Sequence, residues 1–237
     1  KKQNMAVTTV TAMVPMTTAQ TLKAYRAASI ALTLLAFLSL HIFVVALLIE
    51  AGKATEVKAA ETKAESNSWL DAAEFISWNN PDIYEAQASY YRALALTGRK
   101  VGSRLNLSDD SPEKLQLQTS LDYWWLAQQA SPLWPYYQTG ALDIELLLNR
   151  PASVIQKRIA EILILAPNER GLDKALLKLS FTGWKKISDG QKDFMLDRLK
   201  HRNRKLLIAI FKVAKAAGNH QAICINLPWK KVSKLCK

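Results

Sequence analysis

Residues Ala27 to Ile49, AASIALTLLAFLSLHIFVVALLI, run for 23 residues without a formal charge. At ~1.5 Å of rise per residue, a helix of this length crosses a ~30 Å hydrocarbon core with some tilt. The apolar region of a signal peptide is shorter and leads to a small-residue cleavage site. A buried core helix is shorter too, and polar along one face. The run therefore reads as a transmembrane helix, and no second stretch has its length and apolarity. Lys1, Lys2, Lys23 and Arg26 precede it; Lys53, Lys58 and Lys63 follow closely. Counting Lys and Arg only, this slight excess predicts a cytoplasmic N-terminus and a large domain on the far side. His41 is the one ionisable group inside the run, where a neutral imidazole bonded to a neighbouring helix is the simplest expectation.

The rest of the 237 residues are laid out around that segment. Residues 1–26 are expected to form a cytoplasmic tail, extended until about Thr21 and rich in Thr, Ala and Met. Residues 50–68 are Ala-, Lys- and Glu-rich and read as a solvated helical stalk. Residues 69–237 are expected to form an exported all-α domain. Its apolar residues recur at helical spacing: Leu70/Ala73, Ile83/Ala86/Tyr90, Leu115/Leu121/Trp124/Trp125/Ala127, Ile155/Ile159/Ile162 and Leu207/Ile210/Ala214. Asn80-Pro81, Ser111-Pro112, Ser131-Pro132 and Ala166-Pro167 punctuate these runs, and Gly98 and Gly218 are read as helix stops. About eight helices follow, including one capped by Asn168 over Glu169 to Trp184. Pro81, Pro132 and Pro167 at three of these breaks are spaced 51 and 35 residues apart, and it is the second spacing that matters here. That is close to the ~34-residue tetratricopeptide period. The expected fold is thus a tetratricopeptide-like α-solenoid, with an irregular helical bundle as the alternative.

Composition narrows the function classes. With 49% hydrophobic and 22% charged residues, the chain is neither collagen-like nor largely disordered. The net charge is +12, divided unevenly: +4 over residues 1–49, −6 over 50–149 and +14 over 150–237. Lys185, Lys186, Lys200, Arg202, Arg204, Lys205, Lys212 and Lys215 form the densest basic stretch. They are a candidate patch for an anionic polysaccharide or lipid headgroups, against the plainer reading of a solvated helix face. No DNA-reading motif accompanies them, and no nucleic-acid partner is expected. Trp124, Trp125 and Trp134 cluster with Tyr136 and Tyr137 as a candidate aromatic partner surface. Core packing competes with that reading, and sugar stacking ranks below both.

No phosphate-binding loop, dinucleotide fingerprint, HExxH or GxSxG occurs in the sequence. His41, His201 and His220 are widely separated, and Asp109-Asp110 lies in a polar stretch. The chain is expected to be non-enzymatic, with no metal and no cofactor. Asn106-Leu107-Ser108 matches a glycosylation sequon without further support. Cys224 and Cys236 are the only cysteines, 12 residues apart. In an oxidising compartment they are expected to pair and pin the C-terminal segment, against the alternative of two buried thiols.

Two passages carry a resemblance. One is SLDYWWLAQQASPLWPYYQTGALDIELLLN, where an Ala-rich helix meets S-P-x-x-P and an aromatic helix. The other is AAGNHQAICINLPWKKVSKLC, a final helix followed by Gly, Cys and Cys. Over roughly residues 119–237 the chain resembles VpsP-type accessory proteins of bacterial exopolysaccharide gene clusters. The resemblance implies a single-span protein of the bacterial inner membrane with a periplasmic helical domain. It implies a scaffolding role in making or exporting a surface polysaccharide, beside integral-membrane or exported protein subunits, and it transfers no catalytic residue. The rival expectations are a subunit of another membrane complex (secretion, pilus or respiratory) and a binding module for an anionic polymer or lipid through the basic third.

Overall fold

The computed structural model describes residues 18–62, 67–77, 79–97 and 107–236, and every regular element among them is a helix. The tail through residue 17, the Gly98 stop and Asn106 of the sequon lie outside the described residues. The chain divides into two units, residues 1–46 and 47–237. The first unit contains most of the apolar half of α1 (Thr18–Thr62). Residues Tyr25–Ala54 of this helix are long and apolar enough to cross a membrane. Helix starts at Thr18 rather than near Thr21, because no glycine or proline interrupts the path from Thr18 into the apolar run.

The second unit opens with the end of α1, which continues through Thr62. The near end of the segment expected as a stalk makes contacts: Gly52 is buried, and Asn67 Nδ2 donates to its carbonyl at 3.0 Å. Asn67 caps α2 (Ser68–Ile76), accepting from Trp69 N at 3.2 Å. Asn80 caps α3 (Pro81–Leu96) and Ser111 caps α4 (Pro112–Ala130), each followed by proline at the first helical position. The Ser131–Trp134 turn leads into α5 (Pro135–Leu147). Asn149, at φ 56°, turns the chain toward α6 (Ala152–Leu165).

The helix expected from Glu169 to Trp184 is shorter: α7 spans Asp173–Thr182. Residues 167–172 form a turn, because Arg198 takes the Pro167 and Glu169 carbonyls at 2.9 and 2.8 Å. Those carbonyls are therefore drawn toward a guanidinium rather than into a helical ladder. A reciprocal Ser188/Gln191 capping box opens α8 (Asp189–Lys200). Asn203 caps α9 (Arg204–Ala216), and Gly218 at φ 74° closes it in the left-handed region. Two short helices, α10 (Gln221–Asn226) and α11 (Trp229–Val232), complete the chain and were not foreseen in the sequence.

Packing runs mostly between neighbours, α2 on α3, α3 on α4, α4 on α5 and α5 on α6; α7 packs on α5, α8 and α9. Small residues line the α3–α4 contact: Ala88 and Ala95 of α3 share a buried cluster with Ala127 of α4, and Ser120 Oγ donates to the Ala88 carbonyl at 2.6 Å. α5 is apolar on both sides. Ala141 and Ile144 close the cluster built on α3 and α4, while Leu142 joins the larger core of α6 to α11.

Candidate functional site

The aromatic candidates divide according to the helical turn that carries them. Trp124 and Tyr137 are core residues, 7% and 4% exposed, with ring centroids 6.2 Å apart. They are unavailable to a partner, which corrects the expectation for these two. The reason is register: Trp124 shares the face of Leu117 and Ala127. Trp125, one residue further round α4, is 57% exposed. At the break before α5, Leu133 and Trp134 are 80% and 52% exposed, and Tyr136 packs against Trp134 at 5.1 Å. The exposed apolar groups are thus Trp125, Leu133, Trp134 and Tyr136, borne by α4, the turn and the start of α5. Leu133 escaped notice in the sequence, although a large apolar residue between Pro132 and Pro135 has no helix face on which to bury. Exposed Trp and Tyr on a stiff support are typical of surfaces that bind protein.

The basic candidates also divide. Arg202 makes an ion pair with buried Asp173, and Lys186 Nζ donates to Asn149 Oδ1 and the Arg150 carbonyl, both at 2.6 Å. Burial pushes the Lys186 ammonium below the usual lysine value. Lys185, Lys200, Arg204, Lys205, Lys212 and Lys215 are exposed. By the 3.6-residue period, Arg204, Lys205, Lys212 and Lys215 fall within about 100° of arc on α9. That helix contains no acidic residue. Lys231, absent from the sequence candidates, adds a cation here: its ammonium donates to the Lys200 carbonyl.

The contact that brings Lys231 back depends on the C-terminal hairpin. The Cys224 and Cys236 sulfurs are at bonding distance, 1.99 Å, with Cα atoms 5.8 Å apart. The bridge ties the end of the chain to α10, and both half-cystines pack on the main core with Leu235. A disulfide fits an oxidising compartment.

Three polar constellations had no visible signal in the sequence, because their members are far apart along the chain. Asp173 is 3% exposed and receives both Arg198 and Arg202. Arg198 is itself buried and spends its remaining donors on the 167–169 carbonyls. Glu145, 3% exposed, pairs with Arg158, whose guanidinium also reaches Gln128, Gln138 and Glu161, joining α4, α5 and α6. Between α2, α3 and α4, Tyr123 stacks on Tyr91 at 5.8 Å and donates to Glu74 Oε2 at 3.4 Å. Burial first, then the Glu74 charge, raises the Tyr123 phenol well above its ordinary value. Tyr137 donates to Asp82 Oδ1 at 3.4 Å; burial and the Asp82 and Glu85 charges push it up to about 12.

In the first two constellations the charges are mutually paired, and in the third the carboxylates accept from neutral tyrosine and glutamine donors; both arrangements tie helices together. The cleft of Pro167, Phe194, Arg198, His201 and Arg202 illustrates this, since both arginines are committed to Asp173. Among the described residues no three His, Cys, Asp or Glu side chains gather as metal ligands. No protein-family model matches the chain, and no curated protein or solved structure shows significant similarity to it.

Proposed function

We propose that this protein is a non-enzymatic, single-span accessory subunit of a cell-envelope assembly that makes or exports a polysaccharide. In this reading the bacterial inner membrane holds α1, the N-terminus is cytoplasmic and the helical domain is periplasmic. The observation that carries a scaffolding role is the exposed apolar group of Trp125, Leu133, Trp134 and Tyr136. The helices beneath it are fixed by the Glu145–Arg158 network, so the surface is preorganised for a partner. The polysaccharide context rests on the resemblance over residues 119–237.

We also read the domain as an irregular tetratricopeptide-like array. α5, α7 and α9 pack on one another in sequence, while α6 and α8 attach to α5 and α7. Alternating inner and outer helices of this kind produce extended concave binding surfaces.

The test is purification of the full chain from native membranes in mild detergent, with mass spectrometry of the retained proteins. A variant with Trp125→Ser, Leu133→Ser and Trp134→Ser is purified in parallel. Glycosyltransferases, a polymerase or an export channel retained by the wild type and lost by the variant support the proposal. Retention of secretion, pilus or respiratory subunits instead overturns the polysaccharide assignment and keeps the scaffold. Identical partners for both proteins remove the aromatic surface from the account.

A second reading is favoured by the acid-free cationic arc of α9: binding of an anionic polysaccharide or of lipid headgroups. Binding of an acidic polysaccharide that weakens with salt, and is lost when Lys200, Arg204, Lys205 and Lys212 become Ser, supports it. Salt-independent binding contradicts it.

A further inference from the structure

Of the four large apolar side chains of α2, Trp69, Phe75 and Ile76 are exposed and Leu70 is buried. On a surface helix the carboxylates belong in water and the large apolar residues inside. Here Asp71 is exposed and Glu74 half-buried, and both accept from the amide of Gln87, a side chain of α3 with no exposed surface, at 3.1 and 3.4 Å. Glu74 also accepts from Tyr123. Leu70 and Ala73 complete the inward side. The outward side carries Trp69, Ala72, Phe75 and Ile76, which fill about 120° of arc without a charge. Trp69, Phe75 and Ile76 are 46%, 92% and 41% exposed. Phe75 is the most exposed of the large hydrophobic side chains described.

The place of α2 along the chain says what covers that face. Leu70 packs directly over Gly52, where a Cβ would collide with its side chain, and the cap residue Asn67 bonds to the Gly52 carbonyl. Gly52 is three residues beyond Ile49, the end of the charge-free run, in the same continuous helix. Three residues of helix rise ~4.5 Å. The headgroup region begins where the hydrocarbon ends, so α2 is fastened to α1 at that depth. Trp is the side chain most suited to this zone, with an apolar ring and a polar N–H.

We infer that α2 is an interfacial helix: Trp69, Phe75 and Ile76 enter the lipid leaflet at which α1 leaves the membrane, seating the domain directly on the bilayer. This rests on the reading of α1 as a membrane span. Burial of such a face ~5–10 Å into the headgroup boundary is the known mode of amphipathic surface helices.

The test uses the full chain reconstituted in vesicles of phosphatidylethanolamine and phosphatidylglycerol. Benzoylphenylalanine is placed, one site at a time, at Phe37 in the apolar run, at Phe75, and at Ile164 and Ile225 as exposed controls elsewhere. All four side chains are well exposed, so substitution leaves the core intact. After irradiation, lipid adducts are counted by mass spectrometry. The inference expects adducts from 75 within about threefold of those from 37, and at least about tenfold above both controls, as leaflet insertion requires. Adducts from 37 with control-level yield at 75 overturn the inference while leaving the span intact. Protein–protein adducts from 75 in place of lipid adducts also overturn it. No lipid adduct at 37 defeats the membrane reading itself, and this inference with it.

Discussion

Gly140 lies in the middle of α5, where alanine would ordinarily favour the helix by ~1 kcal/mol. A methyl group there would enter the ring of Trp124, a buried side chain with no room to move. Overpacking of this kind costs ~1–3 kcal/mol, so the clash outweighs the propensity. Gly140→Ala is expected to lower stability by up to about 2 kcal/mol in chemical denaturation, net of the helical gain. A second residue-scale expectation concerns alkali. Tyr137 keeps its proton to about 12 when folded, whereas the unfolded phenol releases it near 10. Between those values the folded state binds more protons than the unfolded state, so stability falls as pH rises. Tyr90, Tyr91 and Tyr123 are shifted the same way, chiefly by burial. A steep loss of thermal stability above about pH 10 is therefore expected, and Tyr137→Phe reduces its slope. An unchanged slope would mean that the Tyr137 hydroxyl ionises as freely in the fold as outside it.

At the scale of elements, the helices expected from apolar spacing are present with their caps. Asn80-Pro81, Ser111-Pro112 and Asn203 start helices because a short polar side chain and a fixed φ act locally, within three residues. The start of α7 was misread because a distant group decides it. Asn168 is a competent cap by type, but Arg198, thirty residues later, claims the carbonyls around it. The same distance hid the Asp173 and Glu145 networks and the bonds from Gln87 to the α2 carboxylates. Of the candidate surfaces, residue type was legible and exposure was not. Trp124 and Trp125 are identical by type and opposite by burial.

Asp173→Asn leaves Arg198 buried without its countercharge and is expected to cost about 3 kcal/mol, read by urea unfolding. A change near zero would show that the carbonyl contacts alone satisfy Arg198. The Cys224–Cys236 bridge closes a short loop, so replacing both cysteines with serine is expected to cost up to about 3 kcal/mol. The wild type, but not the double variant, is then expected to lose thermal stability on reduction.

The whole molecule joins an apolar helix of membrane-spanning length to a helical domain with a C-terminal disulfide. The two features agree physically, since a domain carried across a bacterial inner membrane meets an oxidising environment. The domain also separates its surfaces by chemistry. An acid-free cationic helix lies near one end of the sequence, an exposed aromatic turn near the middle, and an apolar face on α2 beside the end of α1's charge-free run. A subunit that must touch lipid, a protein partner and an anionic polymer has use for all three. The measurement that tests this account most directly is protease digestion of spheroplasts expressing the full chain, followed by mass spectrometry of the membrane fraction. The account predicts that the domain is digested from outside, leaving a membrane-protected fragment that contains residues 27–49. A chain that survives in spheroplasts but is digested in inverted vesicles, or that washes off membranes in carbonate, would contradict it.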